Sequence, residues 1–277
     1  MYVIIYNPKS KGGDRNKILN GAIREIGEEK YITKSFGEIK EFGLFINSLK
    51  SDEKPLVVGG DGTLHFIVNV MKRDNITRDV YAYSSGTGND FFRDIDKFHK
   101  IIKLNDYINN LPTYELNGKE ELFLNGVGIG VDALVCKIVQ ESKATSSFVY
   151  TWSAIKAFFK FKPCKMTAFI DGRQTTYEKC WLITCCNGKY QGGGMMFGPD
   201  KKRDDGTLGV LFIHDVSRIK LLTLFLSIYK GRQLKYTNYV KYIIGKEVKL
   251  IPSKNLYMQT DGEVYSDFKD ITIKGHE

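Results

Sequence analysis

The chain has 277 residues, enough for two domains, with 42% hydrophobic and 13% aromatic content and a formal charge of +9. That composition excludes a disordered chain. The basic excess suits a nucleotide or an anionic membrane surface, whereas scattered lysines and arginines, with no basic arm and no zinc-finger spacing, argue against nucleic acid.

The N-terminus carries no basic region and no cleavage site, so Val3 to Tyr6 reads as a first strand rather than a signal peptide. The glycine-rich loop "NPKSKGG" follows, and Ile18, Leu19, Ala22, Ile23 and Ile26 then fall at helical spacing. Tyr31 to Thr33 predicts a second strand, and Phe42, Leu44, Phe45, Ile46 and Leu49 a second helix. Leu56 to Val58 gives a third strand that stops at "GGDGT", and Leu64 to Met71 a third helix. Tyr81 to Tyr83 closes the series before "SSGTGNDFFR". Alternation of this kind predicts an α/β domain with a Rossmann-like parallel sheet over residues 1–112.

The rhythm changes at Pro112. Asn117-Gly118 and Asp171-Gly172 are hairpin signals, and strand-like runs follow at 180–186, 208–213, 236–244, 248–251 and 256–259. A helix starts near Ser217, with Leu221, Leu222, Phe225 and Ile228 on one face. Residues 113–277 therefore read as a β-rich, antiparallel sandwich domain with inserted helices. Cys136, Cys164, Cys180, Cys185 and Cys186 show no C-x-x-C spacing and read as reduced structural thiols. No stretch reaches the roughly 18 apolar residues of a spanning helix, so a cytoplasmic protein is expected.

Ligands of open α/β sheets bind beyond the carboxyl ends of the strands. Three glycine-bearing loops reach that edge: 7–13, 59–63 and 86–90. Glycine lets backbone N–H groups approach an anion, and a following helix N-terminus adds its positive end. One such loop is ordinary connection chemistry; three on one edge favour a phosphate site. Neither the P-loop, nor the dinucleotide fingerprint after the first strand, nor the protein-kinase set is present.

"YNPKSKGG", "GGDGTLHFIVN", "GTGNDFFR" and "GGGMMFGPDKKRDDGTLGV", in that order and followed by "TDGE", resemble the bacterial diacylglycerol kinase family of soluble lipid kinases over almost the whole chain. GGDGT alone is shared with NAD kinases, whereas GTGNDFFR separates the lipid kinases from them. The resemblance implies an active site in the cleft between the two domains, with ATP as co-substrate. Asn7, Pro8, Lys9, Ser10 and Lys11 would form the first nucleotide loop, with Thr33 at the end of the second strand as a further contact. Gly60, Asp61, Gly62 and Thr63 would lie beneath the phosphates, with Thr87 and Asn89 alongside.

A carboxylate beside phosphates repels them unless a cation intervenes, a need that fits Mg²⁺ and its oxygen ligands. The resemblance implies an aspartate–water–magnesium network of Asp61, Asp90, Asp132 and Asp205. It further implies a structural metal held by the Asp205 carboxylate and by backbone carbonyls near Lys202 and Thr207. Asp261 maps to the general base, with Glu263 orienting a partner nearby. The residues by themselves also allow plainer roles. Thr33 reads as a cap or turn residue, Asp132 as a helix N-cap, Asp205-Gly206 and Asp261-Gly262 as turns, Glu263 as solvated and His65 as structural.

In "SFVYTWSAIKAFFKFKP", Phe148, Trp152, Ile155 and Phe159 share a helical face edged by Lys156 and Lys160. That pattern suits an interfacial helix on anionic headgroups, although apolar residues nearly all round favour burial. "IKLLTLFLSIYKGR" carries the same ambiguity. Family members commonly continue beyond the DGE segment and return to the first domain, a return that looks shortened here. The expected function is ATP- and Mg²⁺-dependent phosphorylation of a membrane lipid hydroxyl, diacylglycerol first. A sphingoid base, phosphatidylglycerol, NAD or an inactive nucleotide-binding regulator are the alternatives. The partners would be the lipid substrate and, transiently, the anionic inner face of the membrane; a homodimer is compatible with the sequence.

Overall fold

The computed structural model describes residues 1–8, 14–86, 88–97, 99–142 and 155–276. The chain divides into two compact units, Met1–Asn109 and Asn110–Glu277.

The first unit carries strands β1 (Tyr2–Tyr6), β2 (Tyr31–Ser35), β3 (Lys54–Gly59), β4 (Tyr81–Ser84) and β5 (Ile101–Lys103), in the spatial order β2-β1-β3-β4-β5. β1 to β4 run parallel, as the strand–helix alternation requires. β5 runs antiparallel to β4 and was not expected; three residues are too few to leave a period in the sequence. Helices α1 (Arg15–Ile26), α2 (Phe42–Ser48), α3 (Asp61–Arg73), α4 (Asp90–Asp94) and α5 (Asn105–Ile108) complete this unit among the described residues. Asp14 caps α1 by accepting from the Lys17 N–H at 3.2 Å. The apolar stripe of α1 (Ile18, Leu19, Ala22, Ile26) packs on Ile4, Leu56, Val58 and Tyr83 of the sheet. Each isoleucine, leucine or valine side chain so taken from water contributes about 1.5–3 kcal/mol.

The second unit contains β6 (Thr113–Leu116), β7 (Lys119–Leu122), β8 (Gly126–Gly130), α6 (Val131–Ser142), β9 (Cys164–Ile170), β10 (Arg173–Cys186) and β11 (Leu208–His214). Then come α7 (Arg218–Ile228), β12 (Val240–Gly245), β13 (Glu247–Pro252), β14 (Met258–Thr260), β15 (Glu263–Tyr265) and β16 (Ile271–Lys274). Residues 155–160 are also helical. The strands join in one curled, antiparallel sheet of 11 strands among the described residues. β10, 14 residues long, ties it together. Its first part pairs with β9, its last part with β8 and β11, and the register shifts between Tyr177 and Cys180. The core beneath gathers Val127, Ile129, Met166, Ala168, Ile183, Phe212, Leu250 and Ile273.

The two expected hairpins form with left-handed central residues, Asn117-Gly118 at φ 53° and 77° and Asp171-Gly172 at 47° and 78°. Two strands start later than the apolar runs suggest. A short 3₁₀ turn over Gln233–Lys235 and the bond from Val240 N to Tyr236 O hold 236–239 as a turn, so β12 opens at Val240. β14 opens at Met258 rather than Leu256. All five cysteines are free thiols, and burial pushes that of Cys136 up to about 12.

Candidate active site

β3 ends at Gly59, Gly60 stands as the N-cap residue, and Asp61 opens α3. The neighbouring strand β4 ends at Ser84, and the Ser85 N–H donates to the Gly59 carbonyl at 2.8 Å. The two loops then touch backbone to backbone. A Cβ on Gly86 would lie 2.6 Å from the Gly60 Cα, so glycine is required for this approach. Asn89, left-handed at φ 50°, closes the second loop: its Oδ1 accepts from Gly86 N at 2.8 Å and its Nδ2 donates to Gly86 O at 2.9 Å.

Asp61 crosses from one loop to the other. Its Oδ2 accepts from Asp90 N at 3.1 Å and its Oδ1 from Phe91 N at 3.0 Å. The carboxylate therefore satisfies two orphan donors at the start of α4 and ties that helix start to the "GGDGT" turn. Asn7 Nδ2 donates to Thr63 Oγ1 at 3.3 Å, which brings the end of β1 onto the first turn of α3. Gly62 is exposed, Asp90 and Asn89 are buried, and Pro8 is exposed. Lys9, Ser10, Lys11 and Thr87 lie outside the described residues.

Thr33 lies in the middle of β2, opposite Ile4, and not at the strand end as the sequence suggested. Its hydroxyl accepts from Arg15 Nη2 at 2.5 Å, and the Arg15 guanidinium stands 5.6 Å over the Tyr6 ring. Arg15 carries no motif signal in the sequence; it is the first residue of α1 and reaches from there to Thr33 of β2 and Tyr6 of β1. His65 is buried on α3, in keeping with a structural role.

In the second unit Asp261 and Gly262 form the two-residue turn between β14 and β15, at φ 47° and 94°. The turn reading is therefore right in geometry. The carboxylate also has specific partners, accepting from Leu124 N at 2.7 Å, Asn125 N at 2.8 Å and Gly126 N at 3.3 Å. Three consecutive amides fix both oxygens. Glu263 is exposed on β15.

Gln259 connects this turn to Asp132. Its Oε1 accepts from Gly262 N at 3.1 Å, and its Nε2 donates to Asp132 Oδ2 at 3.2 Å. Asp132 is the second residue of α6, two past the N-cap position, and not the N-cap expected. A Cβ on Gly128 would sit 1.9 Å from Asp132 Oδ2, which explains glycine at that point of "NGVGIGV". Asp132 Oδ1 is buried with no hydrogen-bond partner, and burial pushes the carboxyl up to about 6 against smaller lowering effects of Ala133 N–H and Gln259.

Arg203, Lys201, Asn125 and Gln259 are the residues that motif reading missed. Arg203 Nη1 donates to the Leu124 carbonyl, and Nη2 to Asn125 Oδ1 at 2.6 Å. Asn187 adds a bond to the same Leu124 carbonyl at 3.0 Å. The Asp205 carboxyl accepts from Lys201 Nζ and, at 2.9 and 2.6 Å, from the N–H and hydroxyl of Thr207. Burial raises that carboxyl, but these hydrogen bonds and the lysine charge outweigh it and hold it below the usual carboxylate range. Lys202 is exposed. Among the described residues, no three His, Cys, Asp or Glu side chains gather as a group able to hold a metal ion. Asp61 and Asp90 meet in the first unit, whereas Asp132 and Asp205 are engaged separately in the second.

Residues 1–113 match the diacylglycerol kinase catalytic domain, and residues 125–271 the YegS C-terminal NAD kinase beta sandwich-like domain. The chain is 24% identical over 265 residues to "Putative lipid kinase YtlR" of Bacillus subtilis, covering 87% of this chain and 84% of that protein. It is also 24% identical over 229 residues to a diacylglycerol kinase of Mycobacterium tuberculosis, covering 79% and 71%. A crystal structure described as a "putative diacylglycerol kinase" from Bacillus anthracis shares the fold. It has a TM-score of 0.68 at 22% identity, over 99% of this chain and 91% of that one. The chain belongs to the bacterial diacylglycerol kinase family of lipid kinases.

Proposed function

We propose that this kinase transfers the γ-phosphate of ATP to the hydroxyl of a membrane lipid, diacylglycerol before other lipid alcohols, with Mg²⁺ as the accompanying ion. The observation that carries the reading is the fixed carboxylate of Asp261, held by three backbone amides at the tip of a tight turn. Its task is to take the proton of the lipid hydroxyl as that oxygen attacks phosphorus in line. A hydroxyl is far less acidic than a carboxylic acid, so the proton moves late and positioning carries more of the rate than basicity.

Gly60, Asp61, Gly62 and Thr63, with Asn7 and Asn89, form the phosphate-binding floor in this reading. The N–H groups at the start of α3 and the close Gly60–Gly86 approach suit an anion. The Asp61 carboxylate, oriented by two amides, fits an ion that takes one or two carboxylates plus phosphate oxygens and waters. When bound, magnesium supplies charge neutralisation at the transferring phosphoryl group.

Access to lipid is assigned to α7 and the segment after it. Leu221, Leu224 and Ile228 are buried, but Ile219 is 80% and Leu226 67% exposed. Leu226, Tyr229 and Tyr236 line one groove together with Lys230, Arg232 and Lys235. Phe158 packs on Phe225 with ring centroids 5.1 Å apart, while its neighbour Phe159 is 67% exposed. Phe148 and Trp152 lie outside the described residues. Apolar side chains rimmed by cations suit an anionic bilayer surface. Among the described residues no helix is long and apolar enough to cross a membrane.

The test offers radiolabelled ATP with mixed micelles of diacylglycerol, a sphingoid base or phosphatidylglycerol, and separately with NAD. Label in diacylglycerol is the expected result. Label in NAD alone would sink the lipid reading, and label in another lipid would move the substrate without moving the chemistry.

A further inference from the structure

The family resemblance implies a divalent ion in the second unit, on the Asp205 carboxylate and the backbone carbonyls of Lys202 and Thr207. The side chains present do not fit one. Lys201 is 1% exposed, and its ammonium donates both to the Lys202 carbonyl and to Asp205 Oδ1. Thr207 sends its N–H and its hydroxyl to that same oxygen, at 2.9 and 2.6 Å. Asp205 Oδ1 thus takes three donors, and two of the three implied metal ligands already face a cation.

A divalent ion on these oxygens would stand a few ångströms from the ammonium, where like charges repel. Magnesium also demands a nearly ideal octahedron of oxygens, and N–H and O–H groups crowd Oδ1, one of the two oxygens of the carboxylate that would have to start it. The lysine is not placed there by a flexible surface excursion. Its N–H bonds to the Gly198 carbonyl at 3.0 Å, and an added Cβ on Gly198 would come within 3.1 Å of the Lys201 Cβ, so the stem is packed. Lysines are almost never fully buried unless paired, and this loop supplies a carboxylate and a carbonyl as the pair.

We propose that the Lys201 ammonium is the resident cation of this loop, so that residues 201–207 are held without a divalent ion and do not bind one. The consequence reaches the candidate base. Arg203, in the middle of the same loop, grips Leu124 and Asn125, whose amides hold Asp261. Magnesium dependence of this kinase then comes from the nucleotide alone. The inference is independent of which lipid is phosphorylated.

The test uses the full chain without nucleotide. Mn²⁺ is titrated into the wild type and into Lys201→Ala, and paramagnetic broadening of amides 202–207 is followed. Melting temperatures of both proteins are measured in magnesium and in chelator. The expected result is no broadening at 202–207 and no magnesium effect on melting in the wild type. In Lys201→Ala the same amides should broaden, and magnesium should recover part of the lost thermal stability. Selective broadening of 202–207 in the wild type overturns the proposal. So does a folded Lys201→Ala that shows neither broadening nor magnesium rescue, because the loop is then no cation site at all. Folding of the variant in magnesium but not in chelator supports the exchange. If Lys201→Ala folds in neither, the wild-type spectrum decides alone.

Discussion

Arg203 Nη2 donates to the side-chain oxygen of Asn125 over 2.6 Å, linking the "KKRDDGT" loop to the strap that holds Asp261. Its contacts with Leu124 and Asn125 predict that Arg203 acts through Asp261, as a positioning residue. Removing it takes away one of the two side-chain donors to the Leu124 carbonyl and the guanidinium bond to the Asn125 side chain, and loosens the three amides. A displacement of an ångström at a reacting group can cost on the order of 100-fold. Arg203→Ala should lower kcat by about that factor while leaving KM for ATP near its original value. Steady-state kinetics with ATP and lipid varied separately check the split; a change confined to KM for ATP would assign Arg203 to nucleotide binding instead.

Asp261→Asn tests the base. The amide keeps one oxygen acceptor for the N–H groups of Leu124, Asn125 and Gly126, but turns an NH₂ toward at least one of them. An unsatisfied donor of that kind costs about 1–3 kcal/mol, so a small drop in melting temperature should accompany the chemical effect. Turnover should fall by about 10²–10⁴-fold, the usual contribution of a positioned proton acceptor. ATP binding by the variant, measured by titration calorimetry, should persist. Activity within a few-fold of wild type would remove Asp261 from the chemistry.

Asp132 predicts a pH signature. Its carboxyl titrates at about 6 in the folded chain, raised by burial from its ordinary value of 3.8. The folded state therefore keeps the proton more tightly than the unfolded chain does. As pH rises from the unfolded value toward 6, the unfolded chain loses its proton first, and stability falls; above 6 the loss is complete, at about 3 kcal/mol. Asp132→Asn can still accept from Gln259 and has no charge to bury. Its stability relative to wild type should be near zero at pH 4 and rise toward that figure at pH 7, read from urea melts in chelator. A difference that does not vary with pH would contradict it.

Charge and apolar exposure around α7 can be separated. Each lysine or arginine near an anionic bilayer contributes about 1 kcal/mol. Replacing Lys230, Arg232 and Lys235 together by alanine should weaken sedimentation with phosphatidylglycerol vesicles by about 100-fold and flatten its salt dependence. Leu226→Glu should weaken binding to the same vesicles at every salt concentration. ATP affinity should be unchanged in both variants, and unaltered vesicle binding would move the docking face elsewhere.

The order of strands and helices was legible because each long element repeats its apolar residues with a clear period, and the two Asn-Gly and Asp-Gly hairpins announce their turns. "GGDGT" could be read as a strand-to-helix turn for the same reason. Long-range polar contacts left no such trace. That Asp61 would accept from the amides of Asp90 and Phe91 depends on β3 and β4 lying side by side, which no local spacing encodes. Lys201 and Lys202 are neighbours of the same type, yet one is buried on Asp205 and the other is exposed. Only the path of the loop after Gly198 decides which points inward. The aspartates flagged as candidates were easy to find; the amides, the arginine and the lysine that orient them were not.

The long strand β10 also sets the order in which the second unit can assemble. Its end, Leu182 to Cys186, is hydrogen-bonded on one side to β8 and on the other to β11, while its start is committed to β9. β9 and β10 are joined by a tight hairpin and can zip early, since their partners are close in sequence. The ladder between 126–130 and 182–186 must wait for a far larger loop to close, and that ladder carries the strap beside Asp261. A nascent chain can therefore hold the hairpin long before the strap beside Asp261 is in place, and that strap closes late in folding.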